Sequence, residues 1–174
     1  MQPEPSGRVI RTGAETYDLI LQRRFAEPPA AVWPSFTSPD QTAQWFGRWE
    51  GTPGRGDTVD LQMLFEEGLP WSRVRIADCV SPELLRLLVE DEYGSWDLEI
   101  RLRNDPAGSA LDFIHHLEDP QAVSSVGPGW EYYLDRLLAA RSGDPAPDFN
   151  DYFPSQGPYF EAQAEAAADS PGPA

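Results

Sequence analysis

Few residues in this chain could do chemistry. His115 and His116 are the only histidines in 174 residues. Neighbours on a strand point to opposite faces, so the two cannot chelate one metal ion together. His115 shares its alternate positions with Leu111, Phe113 and Leu117, which predicts an inward face. There it would act as a general base or a polar handle in a cavity; its plain structural role would be a core histidine tied to a backbone group. Arg23 shares a face with Leu21 and Phe25. An inward arginine needs a carboxylate, from a ligand or from a structural ion pair, unless it reaches water at the strand end. Cys79 is the only cysteine, which excludes an internal disulfide and a cysteine metal site. No base accompanies it to make a thiolate. Glu66 and Glu67 form a turn pair with no second carboxylate placed opposite for glycosidase chemistry. Arg73, Arg75, Arg101 and Arg103, with Glu90, Glu92, Asp97 and Glu99, read as cross-strand pairs on a wet sheet face. The glycine-rich stretches 51–56 and 127–129 lack the strand, GxGxxG and helix context of a nucleotide site. No lysine is present, which excludes Schiff-base chemistry and a P-loop.

Charge narrows the classes further. Thirteen basic residues against 29 acidic ones leave a net charge of −16. Such a field repels phosphate backbones and anionic membrane surfaces, so neither nucleic acid nor membrane is an expected partner. The N-terminal MQPEPSGRVIRTG has no apolar core of a signal peptide, and the apolar run at Leu84–Val89 is interrupted by Arg86. A cytoplasmic setting is expected, with no cofactor and no metal.

The elements that must position these residues follow from periodicity. Thr16–Ala26 alternates as a strand, and residues 1–13 read as a flexible arm. Pro28 and Pro29 open one short helix. Ser38-Pro39-Asp40-Gln41 opens a second, with a capping box. Val59–Phe65, Ser72–Val80, Leu84–Glu92, Trp96–Arg103 and Ala110–Glu118 then read as strands joined by tight turns. At Gly129 the period changes. Trp130, Tyr133, Leu134, Leu137 and Leu138 make a helical stripe, with Pro128 at its first position and Gly143 at its stop. The result is an α+β domain: an antiparallel meander of about six strands, two short helices after the first strand, and one long helix that the sheet must cover. Residues 143–174 form a Pro- and acid-rich tail. Its segment 149–160 carries Phe149, Tyr152, Phe153, Tyr159 and Phe160, too aromatic for disorder. Docking of this segment on the body of the domain is expected, with narrowing of a cavity mouth as a lid; beyond Glu161 the chain is expected to fray.

Three segments carry a resemblance. Arg23–Trp33, Thr37-Ser38-Pro39 with Trp45-Phe46-Gly47, and Gly129–Leu137 resemble, in order and spacing, signatures of the activator of heat-shock-protein-90 ATPase homologue family. That family belongs to the SRPBCC (START-related, pollen-allergen-like) superfamily. The resemblance spans about residues 14–142 and implies a helix-grip fold: a curved antiparallel sheet wrapped on a long C-terminal helix, with a cavity between them. Members of the superfamily bind apolar molecules there, and some act as cyclases or hydrolases. Glu27, Pro34 and Pro128 depart from the family pattern.

On this basis Leu61, Met63, Trp96, Leu98, Phe113, His115, Trp130 and Tyr133 are expected to line the cavity. Trp45 and Phe46 would stand at its mouth, and Arg23 would be an inward cation. The expected function is binding of a small apolar or amphipathic molecule without chemistry. The alternatives are a cyclase or hydrolase with His115 as base, and a protein-interaction or chaperone-cofactor module. A protein partner is possible but not indicated by the sequence.

Overall fold

The structure is a computed structural model and describes residues 2–92 and 94–173. It is α+β. Strands β1 (Arg8–Arg11), β2 (Tyr17–Phe25), β3 (Gly47–Glu50), β4 (Thr58–Met63), β5 (Trp71–Val80), β6 (Leu84–Asp91), β7 (Gly94–Asp105) and β8 (Gly108–Leu117) form one curved antiparallel sheet that does not close. Their order is β1-β2-β8-β7-β6-β5-β4-β3. Helices α1 (Pro29–Val32), α2 (Pro34–Thr37) and α3 (Pro39–Thr42) are single turns; α4 (Val123–Ser142) and α5 (Gly157–Asp169) are long. This is the helix-grip class the resemblance implies, with eight strands where about six were expected.

The chain divides into two compact units, residues 23–113 and residues 1–22 with 114–174. Residues 23–113 hold the meander. Val59, Leu61 and Met63 of β4 and Ser72, Val74 and Ile76 of β5 are buried, while Arg73 and Arg75 are exposed. Alternation of this kind sets register, because a one-residue slip would turn every apolar side chain to water. A bulge between Ile76 and Asp78 shifts the β5–β6 register. The additional strand β3 pairs Gly47–Glu50 with Met63–Asp60; four residues after a helix exit are too short to show a period. Each short helix has a proline at its start. Pro34 divides the first expected helix into α1 and α2, since a proline offers no N–H to carry the helix on. Ser38 caps α3 through its backbone carbonyl, which accepts from Gln41 N and Thr42 N, and not through its side chain.

On the charged face the outcome is mixed. Arg86 bonds both carboxylate oxygens of Asp97 on the neighbouring strand, at 3.0 and 2.7 Å. Arg103 pairs with Asp112 across β7 and β8, whereas Arg101 pairs with Glu99 on its own strand. Glu99, expected on the wet face, is buried. Among the described residues Arg73 and Arg75 form no ion pair, although Arg73 stands opposite Asp60 and Glu90.

The second unit corrects three expectations. Residues 8–11 of the expected flexible arm pair with Ile20–Tyr17 as β1. The long helix begins at Val123, not Gly129, after a 3-10 turn at Pro120–Ala122 that Asp119 caps through Gln121 N. Pro128 therefore lies inside the helix, where its ring is fully buried; the burial offsets the hydrogen bond that proline removes. The stop at Gly143 is as expected: φ is +78°, and the N–H of Gly143 and of Asp144 both reach Ala139 O, a left-handed cap that suits glycine. The expected frayed end is instead helix α5, running to Asp169.

The aromatic segment docks on α4 and the N-terminal residues. Phe149 and Tyr152 pack edge-on against Tyr132 at ring distances of 5.3 and 5.6 Å. Tyr152 OH donates to Asp135 at 2.8 Å. Phe160 is completely buried between Gly7 and Gly127, where a Cβ at Gly127 would lie 2.5 Å from its ring. These contacts are those of a structural brace. Tyr159 OH donates to Gly7 O at 2.9 Å. Burial raises its pKa above the ordinary 10.0, and the nearby Glu131 carboxylate raises it further. A phenol raised in the folded state contributes stability that is complete below its unfolded value and is lost as pH rises through the folded value. Tyr159→Phe is expected to cost about 1 kcal/mol at neutral pH through the lost hydrogen bond, and to flatten the fall in melting temperature above pH 10. A thermal melt series from neutral to alkaline pH checks both; parallel wild-type and variant curves above pH 10 would contradict it.

Candidate functional site

In the unit of residues 1–22 and 114–174, β8 and α4 set the candidate chemistry. His115 is buried, at 3% exposure, and His116 is half-buried on the opposite strand face, as alternation requires. Trp130 Nε1–H donates to His115 Nδ1 at 3.1 Å, with the rings edge to face at 6.2 Å. Tyr133 lies 6.2 Å from Trp130 in ring distance. An indole nitrogen is only ever a donor. His115 therefore accepts at Nδ1, and its neutral form carries the proton on Nε2. One anchor of His115 is thus a tryptophan side chain. His116 Nδ1 lies 2.6 Å from Asp18 Oδ1, a contact on the other face that sequence spacing does not reveal.

Sequence reasoning also missed the most buried acid of this unit. Glu131 is 2% exposed, on α4 between the two expected ligand contacts Trp130 and Tyr133. Its Oε1 accepts from Ser6 N at 2.6 Å and Gly7 N at 2.7 Å, and both carboxylate oxygens face Ser6 Oγ at 3.1 Å. A glutamate beside a Trp on a helix reads as solvent-facing unless the N-terminal residues are known to fold over it. A recess of about 380 Å³ opens between Pro3, Glu4, Pro147, Asp151 and Tyr152; none of these residues was expected to touch a ligand.

In the unit of residues 23–113, Leu61, Met63, Leu98 and Phe113 are buried and Trp96 is half-buried. Trp45 is buried and anchored, donating from Nε1 to Ser35 O at 2.8 Å and packing edge-on to Phe36 at 5.7 Å. Phe46 is half-buried and lies 5.5 Å from Trp45. Trp45 is thus held by a hydrogen bond and a ring contact, with the Phe46 ring set against it. Arg23 is half-buried. Among the described residues no group of three or more His, Cys, Asp or Glu is placed to hold a metal ion, and no helix is long and apolar enough to cross a membrane.

Several solved structures share this fold. The crystal structure of CalU16 from Micromonospora echinospora is 24% identical, covering 93% of this chain and 99% of that one, with a TM-score of 0.76. A conserved protein of unknown function from Enterococcus faecalis, EF2215, is 17% identical over 92% of this chain and 91% of that one, with a TM-score of 0.68. DynU16, described as a putative protein in the dynemicin biosynthetic locus, is 16% identical over 79% of this chain and 51% of that one, with a TM-score of 0.64. No curated protein matches the chain. The likeness to CalU16 reaches beyond residues 26–141, so it takes in elements outside the segment that carries the family signature. That segment, residues 26–141, matches the model for Activator of Hsp90 ATPase homolog 1-like protein, and the chain belongs to this family.

Proposed function

We propose that the protein binds a small apolar or amphipathic molecule and releases it unchanged. One observation carries the choice of binding over catalysis: the Nδ1 lone pair of His115 is taken by Trp130. A general base acting through Nε2 needs the proton on Nδ1 and a lone pair on Nε2. That tautomer would set two N–H groups against each other at a buried contact, which costs the desolvation of both. The tautomer compatible with Trp130 offers Nε2–H, a donor suited to a carbonyl or hydroxyl on an otherwise apolar ligand. Leu61, Met63, Trp96, Leu98, Phe113, Trp130 and Tyr133 are proposed as the apolar contacts, Phe46 beside Trp45 as the gate, and Arg23 as a partner for a ligand anion. The setting is proposed as cytoplasmic. The description of DynU16 as a putative protein in a biosynthetic locus supports a natural-product-like ligand.

The test is mass spectrometry of the protein purified from its own host, first native and then denatured. A bound molecule released with its mass unchanged after prolonged incubation is the expected result. A protein that carries nothing and takes up no member of a panel of apolar probes overturns the proposal, and conversion of the molecule to a new mass overturns the absence of chemistry. His115→Ala is expected to weaken binding of the same molecule by about tenfold, or ~1.4 kcal/mol, while His116→Ala leaves it within about twofold. Equal effects of the two substitutions would remove His115 from the site.

A further inference from the structure

We infer that Trp130 is a positioning residue that sets the specificity of the proposed site. By holding His115 as a hydrogen-bond donor, it admits molecules that accept a hydrogen bond there and turns away those that only donate. The inference rests on the binding reading above and adds the class of molecule: an apolar body carrying a carbonyl, such as a ketone, a quinone or a lactone. The selection comes from an asymmetry between the two rings. A neutral imidazole donates from one nitrogen and accepts at the other, and its surroundings decide which. An indole has one polar atom, and that atom only donates. Trp130 Nε1–H meets His115 Nδ1 at 3.1 Å, with the two residues 5% and 3% exposed. Water therefore does not compete for the contact, and a buried hydrogen bond of this kind is costly to break. The indole is also braced, edge to face with His115 and 6.2 Å in ring distance from Tyr133. The hydrogen-bonding sense of His115 is thus imposed from α4.

The next residue of α4 works in the same direction. A bound N–H or O–H would need an acceptor, and Glu131 is the buried carboxylate beside Trp130. Its oxygens are already engaged by Ser6 N, Gly7 N and Ser6 Oγ. Drawing one of them to a bound molecule would strand the donors it holds. The buried Val123, Leu134 and Leu137 of α4 have no polar side-chain atom to offer. A carbonyl set against the Nε2–H of His115 completes a donor–acceptor pair, whereas a donor in its place leaves two N–H groups opposed. Sites that hydrogen-bond one particular group reject an isostere without it far more strongly than an apolar wall rejects a change of size.

Three flat tricyclic probes of one shape test the selection on the full chain: fluorenone, which accepts a hydrogen bond; carbazole, whose N–H donates; and fluorene, which does neither. The wild type is expected to bind fluorenone about tenfold or more tighter than carbazole, with fluorene between them. Trp130→Phe keeps an aromatic ring and loses the indole donor, and the ratio of fluorenone to carbazole affinity is expected to fall to within about threefold. Proton–nitrogen correlation NMR of the imidazole rings supplies a second measurement that needs neither probe nor stable variant. The wild type is expected to carry the His115 proton on Nε2; Trp130→Phe is expected to show a mixture of tautomers. The chain has two histidines, so His116→Ala assigns the signals. A merely structural role for Trp130 would weaken all three probes alike and leave the tautomer unchanged, which would overturn the inference. A wild-type His115 proton on Nδ1, or an affinity ratio that Trp130→Phe leaves intact, would overturn it while sparing the binding reading. Uptake of none of the three probes by the wild type would overturn both.

Discussion

Phe160→Ala is expected to lower the stability of the chain by about 3–5 kcal/mol, the range for emptying a fully buried aromatic site. Phe160 has no exposed surface, and its ring fills the space over Gly127 of α4 and Gly7 of the N-terminal arm. Neither backbone can close the gap readily, because α4 is pinned by its own hydrogen bonds and Gly7 by Glu131. The reverse change makes the same point. Gly127→Ala would put a methyl group 2.5 Å from the ring, and overpacking of that kind costs about 1–3 kcal/mol. Urea unfolding of the full chain measures both. A loss below about 1 kcal/mol for Phe160→Ala would show that α5 is not part of the cooperative fold.

Glu131→Ala is expected to be comparably severe, on the order of 3–5 kcal/mol, because it strands buried donors as well as removing their acceptor. The Ser6 and Gly7 amides both converge on one carboxylate oxygen, with Ser6 Oγ adding a third donor. Glu131→Gln keeps an oxygen that can accept from both amides and removes the charge, so it is expected to cost roughly half as much. Amide hydrogen exchange adds a local readout: Ser6 and Gly7 should lose protection in the alanine variant before the strands of the meander do. Protection unchanged at both amides would mean that Glu131 is not what holds the N-terminal residues.

These two residues also mark where sequence reasoning stopped. The strands at 58–63, 71–80, 84–91, 94–105 and 108–117 were legible because an antiparallel sheet with one wet face writes a period of two into the chain. The segment 47–50 was not, since four residues after a helix exit hold no period. The helix start at Val123 was hidden by Pro128, whose ring is tolerated because it is buried. That is a tertiary fact, and propensity alone argues the other way.

The same division runs through the candidate site. Residue types and alternation alone determined that His115 and His116 face opposite ways, that no cysteine or histidine pair could hold a metal, that an α+β sheet would meet one long helix, and that an aromatic tail of this composition would dock. Those properties depend on the geometry of a single element, and the local chain dictates that geometry. Only the tertiary structure decided that Trp130 fixes the tautomer of His115, that Asp18 meets His116, that Glu131 gathers the N-terminal amides, and that Phe160 fills the gap left by two glycines. Each of these pairs groups far apart in the chain or on different elements. Such contacts are set by packing complementarity, to which no local period corresponds.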